Sequence, residues 1–327
     1  MVSRWGAPGD IAETMSHETD RSLHSVVIPV YNSEALLPKT VERTVAFFEG
    51  HDLDYEIILV DDGSRDGSWQ KVLESCRDNS HVVGVRLLKN SGQHSAICCG
   101  IRHARGDLVI TMDDDLQNPP EEIIHLIEKI REGYDVVFAR FAVKRHPLLR
   151  RLGSRVVNHL NTRIFAKPRE ITLTNFRIFT REVADRLARY RTVYPYIPGM
   201  LLMMSSRVAN VETQHHPRPV GRSNYGLVAI SKLVAALLFN YSSFPLKLLT
   251  TIGFGISALS FGVGAFYLLK SLLVGSQVTG WPTLTVLLSF LNGFIIVMLG
   301  VIGEYVSRVI NHLSVESSYQ VRDIVGR

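Results

Sequence analysis

The sequence predicts an α/β domain with a mainly parallel sheet, followed by an amphipathic helix and a C-terminal hairpin of two membrane-spanning helices. Two observations carry this prediction. Short apolar segments alternate with segments of helical periodicity over residues 23–139, a pattern typical of parallel sheets covered by helices. Later in the chain, residues 248–269 and 271–303 are two runs without a charged residue, and each can supply the ~20 apolar residues of a membrane helix.

The apolar segments predict five strands, at residues 24–30, 55–60, 82–88, 108–112 and 135–139. Apolar residues spaced three and four apart predict the helices between them, at residues 34–48, 68–77, 93–104 and 121–131. Further along, the pattern favours a basic helix at 148–165, a short strand at 175–179 and an amphipathic helix at 227–239. We interpret the last as an interfacial helix lying on a membrane; a helix packed on the protein surface is the alternative.

These elements divide the chain into five segments. They are a flexible N-terminal tail at 1–22, the α/β domain at 23–226, the interfacial helix at 227–245, the hairpin at 246–303 and a C-terminal tail at 304–327. The N-terminal tail is polar and has no apolar core of a signal peptide.

Charge indicates the orientation of the hairpin. Lys247 precedes it, Arg308 follows it, and the α/β domain on that same side carries most of the basic residues. Because positive charge stays in the cytoplasm, we expect an integral protein of the cytoplasmic (inner) membrane with two spans, and with the α/β domain and both tails in the cytoplasm. Lys270 at the far end counts mildly against this orientation.

The cysteine content and a basic segment indicate the compartment and the kinds of binding partner to expect. The 3 cysteines form no metal-ligand or disulfide pattern, which is typical of a reduced compartment. Residues 136–169 contain basic but no acidic side chains. Nucleic acid attracts such a run, but beside a membrane anchor we expect anionic lipid headgroups or phosphorylated substrates instead.

Acidic residues follow two of the predicted strands. Asp113, Asp114 and Asp115 come directly after the fourth strand, and Asp61 ends the second. Ligands of parallel α/β sheets bind beyond the C-terminal strand ends. Three adjacent carboxylates repel one another unless they share a hard divalent cation, and Mg²⁺ or Mn²⁺ completes such a site with water and substrate phosphates. A solvated turn is the alternative for the triplet taken alone.

Four segments together resemble glycosyltransferase family 2, whose fold is called GT-A (Rossmann-like, with a mainly parallel sheet). They are VVIPVYN (residues 26–32), VDDGSRDGS (60–68), LLKNSGQHSA (87–96) and MDDDLQNPPE (112–121). Within the family, the chain looks most like the polyprenyl-phosphate glycosyltransferases, such as dolichyl-phosphate mannose synthases and bacterial undecaprenyl-phosphate sugar transferases. The NSGQHSA segment is most similar to the aminoarabinose-type branch.

The resemblance implies roles for individual residues. Those that would line the base and ribose pocket are Pro29, Tyr31, Glu34 and Asp61. Asp113 and Asp115 take the places of the first and second Asp of the family's Asp-x-Asp, so they would address the metal and the diphosphate. Gln117 would complete the metal shell. Asp114 occupies the variable middle position and is given no role.

The resemblance continues in the second half of the α/β domain. Arg177 lies in NFRIF, which resembles the family's Phe-Arg-Leu-Phe segment. The segment RPVGRSNY resembles Arg-x-x-Gly-x-Ser-Lys-Tyr, and Arg218, Arg222 and Ser223 would bind phosphate there together with Arg177. Arg177 is also a candidate catalytic residue, beside Asp113 and Asp115. The usual Lys is Asn224 here, which leaves that phosphate contact open.

The implied activity is inverting transfer of a sugar from a nucleotide-sugar, commonly a UDP-sugar, to a polyprenyl (undecaprenyl) phosphate. The product would supply envelope glycan synthesis or lipid A modification. The alternatives are a membrane-tethered nucleotide-sugar-binding protein without turnover and a transferase with a different acceptor. The expected partners are the nucleotide-sugar, the lipid phosphate and the membrane, with a homo-oligomer as an open possibility and no nucleic acid.

Overall fold

The computed structural model describes residues 22–141, 148–214, 227–242, 244–274, 281–314 and 318–326. Within them the strands are β1 (His24–Val30), β2 (Tyr55–Asp61), β3 (Val82–Leu87), β4 (Leu108–Thr111), β5 (Val136–Phe141), β6 (Arg177–Thr180), β7 (Val208–Thr213) and β8 (Val321–Val325). The helices are α1 (Leu37–Gly50), α2 (Ser68–Asp78), α3 (Gln93–His103), α4 (Ile123–Arg131), α5 (Leu148–Ile164), α6 (Arg181–Arg189), α7 (Ile197–Met204), α8 (Leu227–Tyr241), α9 (Phe244–Val274) and α10 (Trp281–Ser314). The five strands and four helices predicted in the first half lie within a few residues of these bounds.

The strands form one sheet in the order β7-β5-β6-β4-β1-β2-β3-β8. β4, β1, β2 and β3 are parallel neighbours, as are β5 and β7. β6 runs antiparallel between β4 and β5, and β8 runs antiparallel to β3. The sheet is therefore mostly parallel, as predicted, and the C-terminal ends of β1, β2 and β4 meet at one edge.

Helices cover both faces of the sheet, so its strands are buried on both sides. Along β1, Val26, Ile28 and Val30 pack into a core shared with α1, α2 and α4. Val27, between them, packs into a second core shared with α3, α6 and α7. This alternation follows from the two-residue period of a strand, and it places α3 on the opposite face from α1 and α2.

Gly100 of α3 lies where the helix crosses β1. A Cβ atom at this position would overlap Val27 Cγ1 and would come within 3.2 Å of Val60 Cγ2. Gly100→Ala should therefore lower the free energy of unfolding by about 1–3 kcal/mol, although alanine favours a helix. Gly50→Ala is the matched control, because a Cβ there meets no atom within 4 Å. Thermal unfolding of the two variants tests this, and equal melting temperatures would contradict the close packing of α3 on β1.

The three helices before β8 extend from the α/β domain. α8 buries Leu237, and its Tyr241 hydroxyl donates to the Tyr194 carbonyl at 2.7 Å. α9 and α10 contact each other and expose large apolar side chains, among them Phe254 (74% exposed), Leu273 (82%) and Ile296 (69%).

Within the part of the chain that the structure describes, no helix combines the length and the hydropathy needed to cross a membrane.

Strand β8 lies within residues 304–327, for which the sequence predicts only a C-terminal tail. It pairs with β3 at the sheet edge, with Val85 opposite Ile324 and Arg86 opposite Asp323. Just before it, Tyr319 is buried in the core beside α3, and the Arg102 guanidinium lies 5.6 Å from its ring centroid. The chain therefore returns to the α/β domain after α10.

Candidate active site

The loops that follow β1, β2 and β4 lie side by side at the C-terminal edge of the sheet. The first two loops are tied together. The Asn32 amide donates to Ser64 Oγ at 3.0 Å, and the Arg65 amide donates to Asn32 Oδ1 at 2.9 Å. The Glu34 carboxylate accepts the Gly67 amide at 3.0 Å. These contacts fix the two loops relative to each other beside β4.

Asp113 lies two residues after β4 and is next to both α3 and β6. Its Oδ1 accepts a hydrogen bond from Gln93 Nε2 at 2.5 Å, and its Oδ2 accepts one from Asn175 Nδ2 at 3.4 Å. Both partners are neutral amides. Burial, and then the charge of Asp115, raise the pKa of Asp113 to about 6. The carboxylate is therefore held in place by neutral groups, and no cationic side chain of the described ranges pairs with it directly.

The side chains of Asp114 and Asp115 are buried, whereas Asp113 is partly exposed. Asp114 Oδ2 has no hydrogen-bond partner among the described residues, and burial raises the pKa of Asp114 to about 7. Asp115 Oδ1 accepts the Gln117 amide at 3.1 Å. Leu116 between them adopts φ +57°, a conformation uncommon for leucine that tends to persist at functional sites.

These residues fit a particular kind of cation site. In the described ranges, no group of three or more His, Cys, Asp or Glu side chains is arranged to hold a metal ion. Mg²⁺ and similar ions, however, bind through one or two carboxylates when water and substrate phosphates supply the other ligands. Buried carboxylates with neutral partners, and the unpartnered oxygen of Asp114, fit such a shared site.

The residues predicted for a nucleotide pocket lie on the first two loops of this edge. Pro29 is buried at the end of β1, Tyr31 is 45% exposed and Glu34 is exposed. Asp61 is buried; its Oδ1 accepts the Ser64 amide at 3.0 Å, and its Oδ2 lies 3.4 Å from Arg86 Nε. The structure brings these side chains to one edge, and their contact with a nucleotide stays a prediction.

Arg177 is fully buried behind Asp113 rather than open to a ligand. It pairs with Thr111 across β6 and β4, its Nε donates to Thr111 Oγ1 at 3.0 Å, and its Nη1 donates to the Thr174 carbonyl at 3.3 Å. Nη2 has no partner within the described part of the chain. Burial lowers the pKa of Arg177 to about 10, so it remains charged at neutral pH. A direct phosphate contact would require the guanidinium to be uncovered.

Asp62 is a site residue that the sequence analysis missed. Its carboxylate accepts the Ser91 amide at 2.7 Å and the Gly92 amide at 2.9 Å. These bonds hold the segment that starts α3, and the next residue, Gln93, contacts Asp113. Its position beside Asp61 at a strand end was a signal, but its partners lie about thirty residues further along the chain.

The predicted phosphate-binding residues Arg218, Arg222 and Ser223, together with Asn224, lie outside the described residues.

The raised pKa values of Asp113 and Asp114 predict how stability depends on pH. Both groups bind their protons more tightly in the folded than in the unfolded protein, so folding is favoured at low pH and this contribution is lost as the pH rises from about 4 to about 7. Asp114→Asn should remove part of the dependence. The free energy of unfolding of wild type and of Asp114→Asn is measured in EDTA at pH 5 and pH 7.5. The stability of wild type relative to the variant should be lower at pH 7.5 than at pH 5. A difference that moves the other way would contradict the burial of this carboxylate.

The sequence profile of Glycosyl transferase family 2 matches residues 25–189, the range from β1 to α6. The chain belongs to this family. Two relatives are named undecaprenyl-phosphate 4-deoxy-4-formamido-L-arabinose transferase. The one from Shewanella sediminis (strain HAW-EB3) is 36% identical over 95% of both chains. The one from Proteus mirabilis (strain HI4320) is 34% identical over 92% of this chain and 94% of its own.

A solved structure shows the same fold. Glucosyl-3-phosphoglycerate synthase from Mycobacterium tuberculosis, crystallised with Mn²⁺, UDP and glucosyl-3-phosphoglycerate, superimposes with a TM-score of 0.52 at 20% identity. The match covers 68% of this chain and 80% of the synthase. This match confirms the predicted GT-A-like α/β fold, and the family and the named relatives confirm the predicted glycosyltransferase.

Proposed function

We propose that this family 2 glycosyltransferase moves a sugar from a nucleotide-diphosphate-sugar to undecaprenyl phosphate at the cytoplasmic face of the membrane. The observation that carries the proposal is 36% identity over 95% of the chain to a relative named for transfer to undecaprenyl phosphate. That similarity extends well beyond residues 25–189. The relatives' sugar, 4-deoxy-4-formamido-L-arabinose, is the first one to test, and the lipid-linked product would serve lipid A modification or another envelope glycan.

The reaction is a single inverting displacement. An oxygen of the acceptor phosphate attacks the anomeric carbon, a new carbon–oxygen bond forms, and the bond to the nucleoside diphosphate breaks with its electron pair on the departing oxygen. The acceptor phosphate is already ionised at neutral pH, so no strong general base is needed. Catalysis then depends on positioning and on stabilising charge.

The described residues supply both requirements. Gln93 and Asn175 fix the orientation of Asp113, while Asp61, buried at the end of β2, would accept a hydrogen bond from the base or ribose. Arg177 supplies a buried positive charge behind the carboxylates. A divalent cation held by Asp113 and Asp115, with Gln117 beside them, would offset the charge of the leaving diphosphate. Mn²⁺, present in the structural neighbour, is the first ion to test.

The acceptor requires that the site lie close to a membrane. We place α9 and α10 against lipid as a hairpin, with α8 at the interface, because the two long helices expose large apolar side chains such as Phe254, Leu273 and Ile296. α8 and β8 flank these helices and both contact the α/β domain. Both ends of such a hairpin would lie on the side of the catalytic domain, and Lys247 and Arg308 at those ends support a cytoplasmic location for that domain.

Transfer of radiolabel from a panel of nucleotide-sugars to undecaprenyl phosphate tests the proposal, using full-length protein with and without Mn²⁺ or Mg²⁺. We expect lipid labelling from one donor, and we expect it to require the cation. Donor hydrolysis without lipid labelling would indicate a different acceptor. Nucleotide binding without either product would contradict the proposed activity.

A further inference from the structure

A cavity of about 260 Å³ lies beside the carboxylates, on the same face of the sheet as α3. It is lined by three elements and is partly open to solvent: the segment at 91–95, which begins α3, the segment at 193–196, and the last turns of α8. Gln93 lines it and also contacts Asp113 at 2.5 Å. The cavity therefore adjoins the reaction centre through Gln93, and α8, which forms one wall, is followed directly by α9.

The two ends of the cavity differ in chemistry. Gln93, His94 and Ser91 make one end polar, whereas Ala236 and Leu237 of α8 make the other apolar. None of the described lining residues carries a carboxylate, although Asp113, Asp114 and Asp115 are close by. The cavity is thus suited to a ligand with a polar, anionic head and an apolar chain.

Two features favour an anion at the polar end. Glycine, with φ +88°, precedes α3, and no side chain caps this helix. Asp62 binds the amides of residues 91 and 92, so the first amides of the helix itself remain directed toward its N-terminal end. Arg177 is the second feature. His94 lines the cavity, and burial, followed by the positive charge of Arg177, lowers the pKa of its imidazole. The Nη2 atom of Arg177 has no hydrogen-bond partner among the described residues.

The volume of the cavity suits part of the acceptor better than the whole donor. Pockets that hold drug-sized ligands measure roughly 300–1,000 Å³, so about 260 Å³ holds a head group rather than a whole nucleotide-sugar. The apolar end leads along α8 toward α9, where Phe244 and Leu248 are exposed. We propose that this cavity receives the phosphate monoester head and the first isoprene unit of the lipid acceptor. The inference rests on the proposed transfer to a lipid phosphate.

Tyr241 holds the wall of this cavity. Its hydroxyl donates to the Tyr194 carbonyl at 2.7 Å and accepts the Tyr196 amide at 3.0 Å. The ring of Tyr196 in turn lies edge-on to His94, with centroids 5.5 Å apart. The C-terminal end of α8 is therefore bonded to the segment that closes the cavity, so the helix that leads to α9 also shapes the acceptor site.

Filling the cavity should block the acceptor and spare the donor. In Ala236→Trp, the KM for farnesyl phosphate should rise about tenfold or more, while the dissociation constant of UDP, measured by calorimetry, stays within about twofold of wild type. Asn240→Asp, which adds a negative charge to the lining, should raise the same KM. Ala46→Trp is the matched control, because Ala46 lines the groove between α1 and α2 on the opposite face of the sheet. It should change neither value.

The outcomes separate the alternatives. An unchanged KM in both cavity variants overturns the assignment, and so does an equal loss of UDP affinity, which would mean that the cavity holds the donor phosphates. If wild type labels no lipid from any donor, the proposed function fails by itself. Direct binding of farnesyl phosphate to wild type and Ala236→Trp then decides the cavity assignment, and equal binding, or none, overturns it.

Discussion

Asp115→Ala should lower sugar transfer by about 10²–10³-fold while the protein stays folded. Asp115 lies at the strand-end turn where its carboxylate accepts the Gln117 amide, next to the carboxylate of Asp113, whose pKa its charge raises. Without this carboxylate, the divalent cation that would offset the charge on the leaving diphosphate is no longer held in position. Losing one such electrostatic contribution lowers the rate by about 10²–10³. The measurement is the initial rate of lipid labelling at saturating donor and Mn²⁺.

Two comparisons make this result interpretable. Asp78→Ala removes an exposed carboxylate at the end of α2 and should leave the rate unchanged. Calorimetry of UDP binding to Asp115→Ala should show that Mn²⁺ no longer strengthens binding. A variant that transfers sugar at the wild-type rate would remove Asp115 from the catalytic residues.

Arg177→Met should lower transfer about 100-fold and leave the free energy of unfolding within about 2 kcal/mol of wild type, or raise it. The substitution keeps an elongated side chain in the core but removes the buried charge behind Asp113. Preorganised charge near a reaction centre contributes rate enhancements of this size. A buried charge without a close ion-pair partner carries a desolvation cost, so removing the charge offsets the loss of the two hydrogen bonds that Arg177 donates. Initial rates and thermal unfolding measure the two effects.

Arg207→Met is the control for this pair of measurements. Arg207 forms an ion pair with Asp135, but its side chain is 67% exposed, and such surface pairs contribute only about 0–1 kcal/mol. Transfer should be unaffected there. If Arg177→Met instead unfolds the protein, the two hydrogen bonds to Thr111 and Thr174 are its main contribution, and a catalytic effect of its charge is not supported.

The fold of the first half could be predicted because its signals are local. Alternating apolar segments such as His24–Val30 and Tyr55–Asp61 are strands, and parallel strands bring their C-terminal ends together whatever the sequence of the loops. That placed Asp61, Asp113 and Asp115 at one edge. This placement follows from the direction of the strands alone and requires no knowledge of contacts between the three side chains.

The features that were missed depend on contacts between distant segments. Asp62 gains its role from two amides of the α3 loop, and its position at a strand end does not by itself distinguish it from a turn residue. Arg177 was expected to bind phosphate because its segment resembles the family's Phe-Arg-Leu-Phe, yet β6 enters the sheet beside β4 and encloses its side chain. β8 is a five-residue segment with two charged side chains, and only its neighbour β3 makes it a strand.

The pairing of β3 with β8 has a consequence for how the protein is made. Residues 88–320, including both long helices, lie between the two strands, and chains fold from the N-terminus during synthesis. Until β8 emerges, β3 is an open edge strand, able to pair with other chains. Completion of the catalytic sheet therefore comes after the synthesis of α9 and α10. A chain that stalls at those helices would leave the ribosome with an aggregation-prone edge.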